Sequence, residues 1–358
     1  MILVLNKVDI SRPEHAVAWK YYFTSRFPNI QVVLFTNFPK DPETVKENAS
    51  KGKVMSRVHR KKGGFMCYGA KEFLEACQIC FPQKNFENWK WKVESETLDK
   101  FDDSRHDVKD FDSLYKEWES EKTQNKFLTI GIVGYPNVGK SSFLNGLKGR
   151  KVASVSKTPG HTKYFQTIFI TNDVVLCDCP GLVFPSTMDK QFQIVSGLFP
   201  ISQVREPYTS VGFIAERINL VDLLKLKHLS GESQTWSAWT ICEAWAKLRG
   251  FRVAKSGRLD AYRAANHLLR LATTGKINIY STPPGYSLSE YQYIEEPETI
   301  NLYAKLKKYS NTVASSAQGF RTNAHLDVPE EELDERTSTA DADARISLSN
   351  RFSVLRVD

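Results

Sequence analysis

The sequence predicts an α/β fold with a largely parallel sheet, followed by a small α-helical domain. Three observations predict it. Short apolar runs at Ile2 to Leu5 and Ile30 to Phe35 flank a helical pattern, the strand, helix, strand order that builds parallel sheets. Further apolar runs at Leu128 to Val133, Phe165 to Ile170 and Val174 to Cys177 surround a Gly-rich loop. From Pro207 onward the apolar spacing becomes helical.

In the first unit, Ala16, Trp19, Lys20 and Phe23 recur at helical spacing between Pro13 and Arg26, so residues 1–40 read as one part of the sheet domain. Residues 41–126 break this rhythm and read as a variable, partly helical, charged insert. It holds a basic cluster (Lys51, Lys53, Arg57, His59, Arg60, Lys61, Lys62) and scattered Trp89, Trp91 and Trp118, which a solvated linker also accounts for. Residues 127–206 carry the Gly-rich loop and a helix from Ser142 to Lys148, held by Phe143, Leu144 and Leu147. Residues 207–290 form the helical domain, with apolar sets Val211, Ile214, Ala215, then Trp239, Ile241, Ala244, Leu248, then the regular stripe Ala261, Ala264, Ala265, Leu268, Leu271, Ala272. Residues 291–358 read as a largely disordered tail, because Pro329 to Arg345 is acidic and rich in Ser, Thr, Asp and Ala.

With 358 residues, 41% of them hydrophobic, the chain can build two or three cores. Its formal charge of +8 favours anionic partners. No apolar run reaches the roughly 18 to 20 residues of a membrane span, and Met1 to Leu5 is too short for a signal-peptide core. An intracellular setting is expected, cytoplasmic or nuclear, the nucleolus included. The six cysteines show no secreted framework, and Cys77-x-x-Cys80 lacks the second ligand pair that zinc requires.

Gly134-Tyr135-Pro136-Asn137-Val138-Gly139-Lys140-Ser141 follows one predicted strand and opens a helix. In that context the loop's backbone N–H groups, from Gly134 through Asn137, Val138 and Gly139 to Ser142, can surround a β-phosphate, and the helix adds its positive end. Lys140 then neutralises β- and γ-phosphates, and the Ser141 hydroxyl ligates Mg2+. Asp178-Cys179-Pro180-Gly181 closes a second strand, where Asp178 can hold the magnesium through its water and the Gly181 N–H can touch a γ-phosphate. Between the two lies Lys157-Thr158-Pro159-Gly160-His161-Thr162-Lys163, a loop of the kind that a γ-phosphate orders; Thr162 is its expected magnesium ligand, with Thr158 second.

Asn6-Lys7-Val8-Asp9 ends the first strand. A carboxylate at Asp9 accepts two hydrogen bonds from guanine N1 and N2, a pattern adenine cannot offer, while the Lys7 stem lies over the base. A further loop at Thr36 and Asn37 is expected to support the base through main-chain N–H groups.

The order of these motifs, NKVD and then GYPNVGKSS, TPGHTK and DCPGL, resembles the circularly permuted P-loop GTPases, and "VVLFTNFP", "VSKTPGHTKYFQTIF" and "DAYRAANHLLRL" look like a eukaryotic branch of them. The resemblance covers roughly residues 1 to 290, weakly across Asn37 to Lys126. It implies a P-loop GTPase sheet with permuted connectivity, GTP or GDP and Mg2+ as ligands, GTP hydrolysis, and a role in ribosome assembly. Family members also carry a strand with an Asp-Arg motif, and its helix, ahead of NKxD. That strand lies beside the phosphate-loop strand, so this chain is expected to leave backbone groups unpaired there.

Signalling GTPases place a water-orienting Gln after the DxxG glycine. Here Leu182 stands in that position, which predicts slow intrinsic hydrolysis. Similar GTPases use K+ with an Asn in the phosphate loop, and Asn137 occupies that place. For partners, Arg263, His267 and Arg270 on one helix face, with Lys255, Arg258 and Lys276 near its ends, are the expected rRNA or ribosomal-particle contact, with no role for DNA or membrane. A nucleotide-regulated scaffold that binds proteins without RNA is the alternative. A P-loop ATPase or kinase leaves Asn6 to Asp9 unexplained.

Overall fold

The computed structural model describes residues 1–37, 67–84, 86–90, 115–116, 118, 120, 127–156, 160–183, 188–229, 235–254 and 256–315. The basic cluster, Thr158, Lys255 and the acidic stretch after Pro329 lie outside these residues.

β1 (Ile2–Leu5) and β2 (Gln31–Leu34) pair in parallel, in register Ile2 with Gln31 through Leu5 with Leu34. The crossover is α1 (Pro13–Arg26), which starts with Pro at its first position, where a missing N–H costs nothing. Its first half is buried through Ala16, Val17 and Ala18. In the second sheet β3 (Leu128–Ile132) pairs in parallel with β5 (Val174–Asp178), and β4 (Gln166–Phe169) lies antiparallel on β5's other side. A short turn joins β4 to β5, with Thr171 Oγ1 accepting from the Val174 N–H, and so tight a connection allows only the antiparallel arrangement.

Among the described residues, β1 and β3 exchange no ladder hydrogen bonds, and the strands form a two-stranded and a three-stranded sheet. Side chains bridge the division instead. Val33 and Phe35 from the first piece share one core with Leu128, Phe143, Leu144 and Leu176 from the second.

The insert needs correction. α2 (Ala70–Cys80) belongs to this same core: Phe73, Leu74 and Cys77 are buried, and Trp89 is fully enclosed beside Phe73 and Phe86. Phe73, Leu74 and Cys77 share one helix face, and the interleaved Lys71, Glu72 and Glu75 mask that stripe in the sequence. Cys77 is a packed thiol pushed up to about 12, burial being the main cause and Cys80 a lesser one.

The helical unit comprises α4 (Lys190–Val195), α5 (Tyr208–Ala215), α6 (Leu220–Leu224), α7 (Ala238–Arg249) and α8 (Ala261–Thr273), which follow α3 (Lys140–Lys148). Its core includes Ile194 and Val195, so the unit begins near 190 rather than at 207. The stripe on α8 is buried at Ala261, Ala264, Ala265, Leu268 and Leu271, as its period requires. On α7 the buried face is rotated from the expected one. Ile241, Cys242, Ala244 and Trp245 face the core, whereas Trp239 and Leu248 are exposed, because the larger apolar arc runs through Trp245. Ser237 and Thr240 close a reciprocal cap at its start, and Gly250 ends it at φ 69°.

The tail also needs correction in its first part. α9 (Tyr286–Glu295) and α10 (Pro297–Ser315) return across α1, with Leu302 and Leu306 buried one turn apart against Val8, Ala16 and Val17. Leu302 and Leu306, four residues apart, form an apolar seam that the polar composition further on obscured. No described helix is long and apolar enough to cross a membrane.

Candidate functional site

The two motif groups meet although they are far apart in sequence. Asn6 Nδ2 donates to the Val138 carbonyl at 2.9 Å, across 132 positions, and Lys7 Nζ donates to the Asn137 carbonyl at 2.9 Å. The Asn6 carboxamide lies so close to Gly139 that a Cβ there would come within 2.4 Å of Nδ2; with φ at 99°, only glycine fits without strain. Asn6 Oδ1 accepts the Lys7 N–H, which holds Lys7 in the left-handed region at φ 61°. Burial lowers the Lys7 pKa, while Asp9 works in the opposite direction.

Asp9 is buried, and Thr36 Oγ1 donates to its Oδ1 at 2.5 Å. This revises the expected role of Thr36. Its main-chain N–H is spent on the Tyr68 carbonyl at 3.1 Å, in a two-residue antiparallel bridge, so its side chain orients Asp9 rather than its backbone supporting a base. Asn37 is buried with its carboxamide against α3, where a Cβ on Gly146 would fall 2.0 Å from Asn37 Oδ1. Tyr68 was missed from sequence. The signal available was its place beside Gly69, directly before the stripe of α2.

In the phosphate loop, Lys140 Nζ donates to the carbonyls of Gly134 (2.9 Å) and Tyr135 (2.8 Å), so the lysine spans the loop it belongs to. Burial lowers its pKa, partly offset by Asp178 and then Cys179. Gly134 and Gly139 stand at φ 158° and 99°, Asn137 at 59°, and Ser141 and Ser142 open α3. Gly181 packs on Pro136, which leaves under 3 Å for a Cβ, and the Leu182 N–H donates to the Gly134 carbonyl at 3.1 Å. Leu182 itself is exposed.

Three expected magnesium residues converge. Ser141 Oγ donates to Asp178 Oδ2 at 2.6 Å and lies 3.3 Å from Thr162 Oγ1. Asp178 is fully buried, and among the described residues its Oδ1 has no hydrogen-bond partner. A buried carboxylate oxygen without a donor, beside two hydroxyls, suits a hard divalent cation with oxygen ligands. Asn137 is less simple, since its Nδ2 donates to the Gly197 carbonyl at 3.0 Å and so ties the loop to the helical unit.

His267 departs from its expected solvent-facing role. Its Nδ1 accepts from Trp245 Nε1 at 3.0 Å, and its ring stacks on that indole. Its pKa is pushed down to about 4, first by burial and then by Arg249, Lys276, Arg270 and Arg263. The histidine is neutral, and the positive charge around it comes from those four side chains. Arg249 lies over the Trp245 ring at 4.5 Å and Arg263 over Phe251 at 4.8 Å.

Residues 129–221 match the family model described as 50S ribosome-binding GTPase. The chain is 43% identical over 323 residues to human guanine nucleotide-binding protein-like 1, covering 84% of this chain and 53% of that protein. It is 42% identical over 322 residues to the mouse protein of that name, with the same coverage. Against Large subunit GTPase 1 of Saccharomyces cerevisiae it is 31% identical over 311 residues, covering 84% of this chain and 45% of that one. The chain thus spans about half the length of these relatives. GNP-bound YlqF from T. maritima aligns with a TM-score of 0.40 at 17% identity, over 77% of each chain, values too low to add weight to the sequence relatives. At this level of identity the chain is similar to these GTPases over most of its length, and its own motifs stand in permuted order, Asn6 to Asp9 ahead of Gly134 to Ser141.

Proposed function

We propose that this chain binds GTP and GDP with Mg2+ and hydrolyses GTP slowly, as a switch that acts on ribosomal or other RNA-containing particles. The observation that carries the reading is the junction of Asn6 and Lys7 with the Asn137 and Val138 carbonyls, which unites a base-reading loop and a phosphate loop into one site. Asp9 accepts guanine N1–H and N2–H, and a base that cannot supply both forfeits hydrogen bonds to a buried carboxylate. Lys140 leaves its carbonyl partners for the phosphates, and the loop's N–H groups take the β-phosphate. Ser141, Thr162 and Asp178 are the residues that would hold Mg2+, which would supply charge neutralisation at the phosphates.

Hydrolysis is slow because Leu182 has no polar group to orient water, and nothing in that position replaces it. K+ is the proposed aid, with Asn137 as its protein ligand, which requires the Asn137 side chain to exchange Gly197 for the cation. Equal turnover in K+ and Na+ would remove K+ from the scheme. For the partner, Arg249, Arg263, Arg270 and Lys276 gather on one side of the helical unit, where stacked guanidiniums offer both charge and planar surface to single-stranded RNA. The names of the relatives, a 50S ribosome-binding family and a large-subunit GTPase, support a ribosomal particle as the source.

Equilibrium binding of GTP, GDP and ATP to the chain tests the core of this reading. Guanine nucleotides are expected to bind and ATP to fail as a competitor; ATP binding as tightly as GTP overturns it. RNA binding is tested by its salt dependence, which should flatten by about one counterion for each of Arg263 and Arg270 removed.

A further inference from the structure

The guanine-reading loop rests on a helix from the far end of the chain. Leu302 and Leu306 on α10, each 1% exposed, pack in one small cluster with Val8, Leu34 and Tyr68. Val8 lies between Lys7 and Asp9, and its N–H donates to the Phe35 carbonyl. Tyr68 is the backbone partner of Thr36, with N–H to O distances of 2.8 and 3.1 Å, and Thr36 in turn donates to Asp9. Lys305, between the two leucines, pairs with Glu72 at 3.0 Å and sits 5.5 Å from the Tyr68 ring centroid. The same strap is anchored to α1 by Lys20 with Glu298 and by Tyr21 Oη donating to Glu296 at 2.6 Å. Thus two neighbours of Asp9, the adjoining Val8 and the Thr36 that donates to it, are backed by α10.

We infer that α10 is a specificity clamp: Leu302, Leu306 and Lys305 are positioning residues that hold Asp9 for guanine N1 and N2 without touching the nucleotide. The inference rests on the proposed guanine site. It separates the two parts of nucleotide binding, since α10 backs the base loop, whereas the phosphate loop closes on itself through Lys140.

Inosine triphosphate is the probe, because hypoxanthine keeps N1–H and lacks the 2-amino group. Affinities for GTP and ITP are measured on the wild-type chain, on Leu302→Ala/Leu306→Ala and on Lys305→Met, with circular dichroism to confirm folding. The wild type is expected to prefer GTP; no preference there means that the guanine reading itself fails. In the double variant GTP affinity is expected to fall about tenfold and ITP affinity, which depends on the N1–H bond alone, by less than about threefold, and Lys305→Met should narrow the ratio by about threefold. Leu302→Met, which restores the apolar volume, should restore the ratio. A general loss of structure lowers both nucleotides together. A GTP to ITP ratio that stays at the wild-type value in folded Lys305→Met and in the double variant, or a parallel fall of both affinities, overturns the clamp. If the double variant does not fold, Lys305→Met decides alone, its side chain being partly exposed.

Discussion

The phosphate half of the site and its base half are built in different ways. Lys140 bonds to Gly134 and Tyr135, six and five residues away, and Ser141, Thr162 and Asp178 all come from one continuous stretch around β3 and β5. Asp9, by contrast, accepts from Thr36, whose backbone partner Tyr68 packs with α10, while Asn6 and Lys7 reach across 132 and 130 positions to the phosphate loop. On the proposed reading, phosphate affinity is a local property of a loop, whereas base selectivity is assembled from contacts that exist only once the whole domain has folded.

Paired substitutions should break this contrast most sharply. Asp9→Ala is expected to cut the preference for GTP over ATP by about a thousandfold or more, since a site built on those hydrogen bonds discriminates steeply. Lys140→Ala should instead weaken GTP and ITP alike, by about 3 kcal/mol or roughly a hundredfold, leaving the ratio between them unchanged. Competition titrations read both; a Lys140→Ala chain that loses selectivity rather than affinity would contradict the division.

Next comes the core that the halves share. Trp89→Ala removes a fully enclosed indole beside Phe73, and about 3–5 kcal/mol of stability should go with it. Denaturant unfolding followed by fluorescence checks this. A loss under about 1 kcal/mol would return residues 67–90 to the status of a surface insert.

Gly139→Ala sharpens the comparison at the junction itself. The added methyl meets the Asn6 carboxamide and forces a non-glycine residue to a φ of 99°, at a cost of about 1–3 kcal/mol. Its expected signature is weakened GTP binding, with Asn6→Ala/Gly139→Ala recovering part of the stability because the steric half of the strain is gone. Identical melting of both variants would show that backbone strain alone accounts for the loss.

The smallest effect lies in the helical unit and serves as a control for both halves. His267 titrates at about 4 in the folded chain and near about 6.5 when unfolded, so the unfolded state binds the extra proton between those values. Its contribution is intact above about pH 6.5 and is lost as pH falls towards about 4. His267→Gln should therefore reduce the drop in melting temperature between about pH 7 and pH 5, without changing GTP binding at neutral pH. An unchanged pH dependence would mean that another group carries the acid sensitivity.

Much of this was legible in the residues alone. Periodicity located β1 to β5, α1, α3 and the stripe of α8, because an apolar face two or 3.6 residues in period is a local property of the chain. Spacing placed Gly134 to Ser141, Asp178, Thr162 and Asn6 to Asp9 in one functional group, because the chemistry of phosphate, metal and base dictates residue types at short range. What tertiary structure alone decided was of longer reach. The bonding of Thr36 depended on Tyr68 taking its N–H, the lowered pKa of His267 on burial and then on four surrounding cations, and the place of Trp89 and Leu302 on surfaces formed by distant segments. Hydrogen-bond donors are finite, and burial is a property of neighbours rather than of the residue buried. The amino-acid sequence thus determined which groups were available for the site, and packing decided which partner each of them kept.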